Sequence, residues 1–386
     1  MNHQKTKQFE RGAQATYSLV LPAYTIGGAD AYDCIEAVCR PYGKRAALIG
    51  GEKGLRAAED AIRCHSGELA LSDAILFGGE CSEKNLENLG QNETVKRADM
   101  LFAVGGGKAL DTVKALGERL EKPVFAFPTI ASNCAACTSV SILYHEDGSF
   151  QRPYFLSRPP VHTFIDLDIL AAAPPRYFWA GMGDTYAKYF ESTVSSRGED
   201  LPQYEALGVE ISSMCLRPIL EKGAAAYAEH KQKQASPAFR EVALAIIVTT
   251  ALASIFLTKD RIIDYNTGLA HAICYGLTAW KEVEAKHLHG EVVSFGVLIL
   301  LLVDGQKDMF ERLYRFHKTV GLPTSIEDFG LSEEEIPAVI TRAVSMKDIA
   351  HNPYPITRNL LEAAFAELKT YSQQQACVSR SGIIEL

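Results

Sequence analysis

The sequence lacks a surplus of positive charge. Its 386 residues hold 39 Lys+Arg against 47 Asp+Glu, a formal net charge of -8. That balance excludes general binding to a nucleic-acid backbone, which requires a basic face, and it favours solubility. An apolar run long enough for a bilayer is also missing. The most apolar stretch, 242–257, is interrupted by Thr249, Thr250 and Ser254 and falls short of the about 20 residues a transmembrane helix requires. A buried helix is the expectation. The opening MNHQKTKQFERG is polar and carries no apolar signal core. Nine cysteines are an odd set, and no second CxxC accompanies Cys134 and Cys137. Reduced thiols in a cytoplasmic protein fit better than a disulfide framework or a zinc ribbon.

What remains is an average globular composition, 47% hydrophobic and 22% charged, in a chain long enough for two or three domains. Residues 45–49 (RAALI) read as a buried strand ending at Gly50-Gly51, with a helix over 55–64. Residues 70–77 are a weaker strand candidate. Residues 100–104 (MLFAV) read as a strand ending at Gly105-Gly106-Gly107, followed by a helix over 109–120 and a strand over 124–127. This alternation implies a mainly parallel sheet with crossover helices, with ligands beyond the carboxyl ends of the strands. Residues 140–144 read as a strand entering a hairpin turn, with 161–166 as its last companion. Beyond Pro174-Pro175 the pattern turns to long apolar helices, for example 206–222, 239–257 and 292–303. The expected organisation is a sheet-based half over 1–174 and a helical half over 175–386, with a ligand cleft between them.

The triplet Gly105-Gly106-Gly107 would let backbone N–H groups approach a diphosphate at a helix N-terminus. It is not the GxGxxG fingerprint, and a tight turn without a ligand fits equally well. Lys108 and Asp111 fall in the first helical turn, the one solvated, the other a complement to the helix dipole. Glu52 could accept hydrogen bonds from an adenosine ribose and repel a 2′-phosphate, favouring NAD over NADP. Lys53 pulls the other way. Asp184, expected just before a helix, would ordinarily be an N-cap. His271 on an apolar helix would ordinarily be a core histidine, and His289 could cap or pack. Together, one carboxylate and two imidazoles make a chemically competent open site for a divalent metal. Sequence separation does not establish it, and His287 competes with His289.

At these residues the chain closely resembles the iron-containing alcohol dehydrogenase superfamily, and within it the glycerol dehydrogenase group. The matching stretches are GGGKALDTVKAL from Gly105, PTIAS from Pro128, SVSILYHEDGSF from Ser139 and AGMGDTYAKYFE from Ala180. They continue in order with AHAICYGLT from Ala270, HGEVVSFGVL from His289 and HNPYPIT from His351. The resemblance implies an α/β N-terminal dinucleotide-binding domain and an all-helical C-terminal metal- and substrate-binding domain, the fold shared with dehydroquinate synthase. It implies metal ligands at Asp184, His271 and His289, the ion being zinc or iron. Cofactor contacts would fall on Gly105, Gly106, Gly107, Lys108 and Asp111, on Thr129 and Ser132, and on Thr138, Val140 and Tyr144, with NAD or NADP as the nucleotide. The implied chemistry is metal-assisted hydride transfer to or from a small hydroxy or oxo compound. A homo-oligomer is the expected assembly, without nucleic-acid or membrane partners.

Two departures bear on the substrate. Where glycerol dehydrogenases carry an aspartate in STDAP, this chain reads Ser132-Asn133-Cys134-Ala135-Ala136. Losing that charge removes a hydroxyl acceptor and also removes repulsion toward an anion. The stretch is similar to that of a hydroxycarboxylate dehydrogenase branch, which points to a 2-hydroxy or 2-oxo carboxylic acid. A small buried Cys134 is the plain alternative. Cys274 stands where relatives have a histidine. At i+3 from His271 it shares a helical face and is expected to line the substrate pocket or approach the metal, without being a direct ligand. The rival readings are a polyol dehydrogenase, a sugar-phosphate cyclase of the dehydroquinate synthase type, for which no dense basic cluster stands out, and an inactive ligand-binding relative.

Overall fold

The computed structural model describes residues 19–258 and 265–381, so the polar opening stretch read above lies outside the described residues. Among the described residues there are nine strands: β1 Ala23–Gly27, β2 Arg45–Gly50, β3 Ala70–Leu71, β4 Ile75–Leu76, β5 Met100–Gly105, β6 Val124–Pro128, β7 Val140–Tyr144, β8 Phe150–Phe155 and β9 His162–Asp166. Seven form one parallel sheet in the order β1-β9-β6-β5-β2-β3, with β4 also on β2. Alternate residues serve opposite faces, as strand geometry requires. Phe102, Phe125, Phe127 and Phe164 pack on one side with Tyr32 and the helix α1 (Glu52–His65). Leu101, Ala103, Ala126 and Ile165 face the other side with α2 (Gly107–Leu120), in a core continuous with the helical half. Both faces are covered, so β2, β5 and β6 are continuous apolar runs.

Two expectations are corrected. The stretch 70–77 is not one strand but β3 and β4. Between them the Leu48 N–H donates to Ser72 Oγ at 3.0 Å, so a side chain takes the place of a ladder carbonyl. The companion of β7 is β8, antiparallel to it, whereas 162–166 enters the main sheet between β1 and β6. A hairpin turn of Asp147 and Gly148 keeps β8 next in line, and the apolar β9 is drawn to the buried sheet.

The chain is helical from α3 (Pro175–Ser195) onward among the described residues. It continues with α4 (Gln203–Lys231), α5 (Pro237–Leu244), a π-helical turn Ala245–Thr249, α6 (Thr250–Leu257), α7 (Leu269–Leu277), α8 (His289–Val303), α9 (Lys307–Val320) and α10 (Arg358–Ser381), with shorter turns between. The run Pro237–Leu257 is long and apolar enough to cross a membrane by composition, yet 72% of its most apolar window is buried inside the fold. Helix α8 is buried on nearly every side from Val292 to Leu302 and forms the centre of this half. Close approach to it depends on glycine. A β-carbon added at Gly183 of α3 would lie 2.3 Å from Gly290 O, and one at Gly296 would lie 2.3 Å from Ala270 O of α7.

Candidate active site

Asp184 lies in the middle of α3 and is therefore not an N-cap. The glycines before it are packing contacts: a β-carbon at Gly181 would lie 2.6 Å from Ala131 O. His271 sits in the first turn of α7 and His289 opens α8. The packing of α3 and α7 on α8 brings the three side chains together. Asp184 Oδ1 is 3.7 Å from Nε2 of His271 and 3.7 Å from Nε2 of His289. One ligand atom from each residue lies within 4.8 Å of the others. Donors bound at about 2.0–2.2 Å to a tetrahedral cation stand roughly 3.4 Å apart, so this donor set fits one divalent ion. His271 is buried, Asp184 is half-buried and the His289 side chain is 53% exposed. The graded exposure leaves one side of the site open.

Glu191, two turns beyond Asp184 on α3, braces His271. Its Oε2 is 2.7 Å from His271 Nδ1, while its Oε1 accepts from His271 N at 2.9 Å and Gly268 N at 2.8 Å. Burial pushes the Glu191 carboxyl up, but the charge and hydrogen bonds of His271 outweigh it and hold the group below the usual carboxylate range. Lys188, buried one turn after Asp184, donates to the backbone and side-chain oxygens of Asn266. His287 takes no part: its Nδ1 is 2.7 Å from Glu291 Oε1 and its ring meets Phe329 edge-on. Cys274 Sγ lies 3.8 Å from His289 Nδ1, the ring nitrogen not turned to Asp184. Burial and the charge of Asp184 push its thiol well above the usual range, so it is neutral. Cys137 is buried and bonded to Thr163.

At the carboxyl end of the sheet, α1 begins at Glu52 and α2 at Gly107, and no side chain caps either N-terminus. Gly105 has φ +139°, a conformation L side chains rarely adopt. Two uncapped helix N-termini beside adjacent strands, β2 and β5, fit the phosphates of a dinucleotide. Glu52 is exposed and ion-paired with Arg56 at 2.7 Å. Lys108 is not simply solvated: it pairs with Glu80 at 2.6 Å and lies over the Tyr144 ring at 5.1 Å. Asp111 does not serve the helix dipole. It is buried, accepts from the Ile142 N–H at 3.1 Å and lies 2.9 Å from Lys114 Nζ. Burial pushes its carboxyl up in spite of Lys114. Lys114 also donates to Thr138 Oγ1 at 3.0 Å and Val140 O at 2.6 Å, fixing the segment that leads into β7.

Between the glycine turn and the metal-type cluster runs the loop 129–137. Thr129 N bonds Gly105 O at 3.1 Å, a β-carbon at Gly106 would lie 2.5 Å from Ile130 Cδ1, and one at Gly181 would lie 3.1 Å from Ser132 Cα. Cys134 is half-buried in this loop. Its thiol is pushed up to about 12 by burial, with Asp184 adding to the shift and Lys188 opposing it.

Residues 22–166 match the family model for iron-containing alcohol dehydrogenase. A glycerol dehydrogenase of Thermotoga maritima is 35% identical over 291 residues, 73% of this chain and 77% of the relative. The chain belongs to the iron-containing alcohol dehydrogenase family. It is therefore an oxidoreductase acting on alcohol substrates, in a family whose members use a nicotinamide nucleotide and a divalent metal. Hydroxycarboxylate dehydrogenase A of Escherichia coli is 31% identical, with 85% of this chain and 90% of that one covered. The crystal structure of a probable glycerol dehydrogenase from Sinorhizobium meliloti superposes with a TM-score of 0.79 at 28% identity, covering 93% of this chain and 99% of that one. For this family member, residue patterns had pointed to Asp184, His271 and His289 but not to Glu191, Lys188 or Lys114. The i, i+4 and i, i+7 spacing from Asp184, which puts Lys188 and Glu191 on one helical face, was the available signal.

Proposed function

We propose that the chain is a metal-dependent, NAD(P)-linked dehydrogenase that interconverts a small 2-hydroxy carboxylic acid and its 2-oxo acid. Asp184, His271 and His289 would hold the metal, which supplies Lewis-acid polarisation of the substrate oxygen when bound. The nicotinamide cofactor supplies or accepts the hydride. The chain's own residues orient and sort. The uncapped starts of α1 and α2 anchor the nucleotide phosphates, Lys108 and Tyr144 wall the same turn, and Lys114 fixes Thr138 and Val140. The loop 129–137 sets the distance between nucleotide and metal, which is where geometric preorganisation contributes most to rate. Glu52 favours NAD.

The observation that carries the substrate class is the charge around Cys134. A neutral thiol stands there, and the buried ammonium of Lys188 has only the Asn266 oxygens as hydrogen-bond partners among the described residues. Its charge reaches Glu191 through space but forms no ion pair among the described residues, and a buried cation so placed favours an anionic ligand. The resemblance to glycerol dehydrogenases supports a second reading, in which a polyol is the substrate. A panel of 2-oxo acids, aldehydes and polyols, assayed with both nucleotides and added zinc or iron, separates the two. Reduction of 2-oxo acids should exceed glycerol oxidation by at least about ten-fold in kcat/KM, roughly the effect of one charge contact. Comparable or faster glycerol oxidation would overturn the carboxylate reading.

A further inference from the structure

We propose that Glu191 is a positioning residue that sets the tautomer of His271, and thereby decides whether its Nε2 presents a lone pair to a cation. The inference rests on the metal site proposed above. A neutral imidazole carries one N–H, and the partner of one nitrogen determines the state of the other. Glu191 is 1% exposed, so its carboxylate has no solvent alternative to these partners. Its Oε2 lies 2.7 Å from Nδ1, so in the neutral ring the proton belongs on Nδ1 and Nε2, 3.7 Å from Asp184, keeps its lone pair.

The other carboxylate oxygen makes the arrangement sensitive to a single-atom change. Oε1 accepts two backbone N–H groups, from Gly268 and His271, so only an acceptor can stand there. In Glu191→Gln the amide oxygen must keep that place, and the NH2 must face His271. An NH2 donates. It would take the lone pair of Nδ1, move the ring proton to Nε2 and point an N–H at the cation position. The isosteric substitution thus preserves the backbone bonds at the start of α7 while reversing the ring. Lys188, holding Asn266 from the same face of α3, keeps the segment in place.

The test compares wild type, Glu191→Gln and His271→Ala by zinc binding in competition with a chromophoric chelator. It adds 15N spectra of histidine-labelled, metal-free protein at alkaline pH, with the His271 signals assigned by their loss in His271→Ala. The expected results are loss of high-affinity zinc in His271→Ala and a ten- to hundred-fold weaker affinity in Glu191→Gln. His271 should be Nδ1-protonated in wild type and Nε2-protonated in Glu191→Gln. A merely structural Glu191 would leave that signature unchanged. Zinc affinity unchanged in Glu191→Gln but lost in His271→Ala would overturn the inference and leave the metal site standing. Zinc retained in His271→Ala would overturn both. Should Glu191→Gln fail to fold, the wild-type spectrum decides alone, and an Nε2-protonated His271 would refute the role assigned to Glu191.

Discussion

Cys134 is one atom group away from a different enzyme. A carboxylate placed there by Cys134→Asp would face an incoming acid across a partly buried site, where like charges repel far more than in water. The expected outcome is a rise of roughly ten- to hundred-fold in KM for 2-oxo acids, with kcat for neutral aldehydes nearly unchanged; steady-state kinetics on both substrate classes checks it. An equal effect on the two classes would mean that the position controls packing and not charge. At this scale the candidate ligands Asp184, His271 and His289 were legible one by one as metal-type side chains but joined into a set only by the resemblance carried by whole motifs, because 87 and 18 residues separate them and no helical period links them. Glu191 was missed because its spacing from Asp184 marks only a shared helical face, while its partners Gly268 and His271 reach it only after 268–271 folds onto α3. Asp111 was misread for a related reason: its place near a helix N-terminus and its i+3 partner Lys114 are local, whereas the Ile142 N–H reaches it only when α2 packs under β7.

Among the elements, the contact of α3 with α8 controls the site most directly, since these helices carry Asp184 and His289. Gly183→Ala places a methyl group 2.3 Å from Gly290 O, and backbone cannot step aside as a flexible side chain can. Overpacking of this kind costs about 1–3 kcal/mol. Chemical denaturation should register that loss, and metal affinity should fall with it because the two ligands are driven apart. Unchanged denaturation would mean that the helices slide without penalty. Legibility followed burial among the strands as well. Runs covered on both faces, β2, β5 and β6, could be read directly as apolar blocks. β1 (AYTIG), with Tyr24 exposed, offers no comparable run, and β8 contains Pro153, so neither announced itself. The divided β3 and β4 could not be foreseen from composition, because their separation depends on one hydroxyl of Ser72.

For the whole molecule, the buried His317 predicts the direction of acid sensitivity. It bridges Tyr186 Oη of α3 at 2.7 Å and Pro323 O at 2.8 Å, and burial pushes its pKa down to about 4. In the unfolded chain a histidine titrates near 6.5. The unfolded state therefore binds the proton first as pH falls, and the stabilisation is complete above about 6.5 and lost progressively toward 4. At about 1.4 kcal/mol per unit, the drop approaches roughly 3 kcal/mol. Denaturation midpoints between pH 7 and 4.5 should decline in wild type and flatten in His317→Gln, and parallel curves would refute the assignment.

The pairing of β1 with β9 has a consequence for biosynthesis. Residues 23–27 join the sheet only through residues 162–166, so the first described strand waits for about 135 further residues before it finds its neighbour. Until then the flank of β6 is bare, a template for mispairing in the nascent chain. Fragments truncated before residue 162 should aggregate on release, and the protein should fold slowly for its size, because closing so long a loop precedes the contacts that reward it.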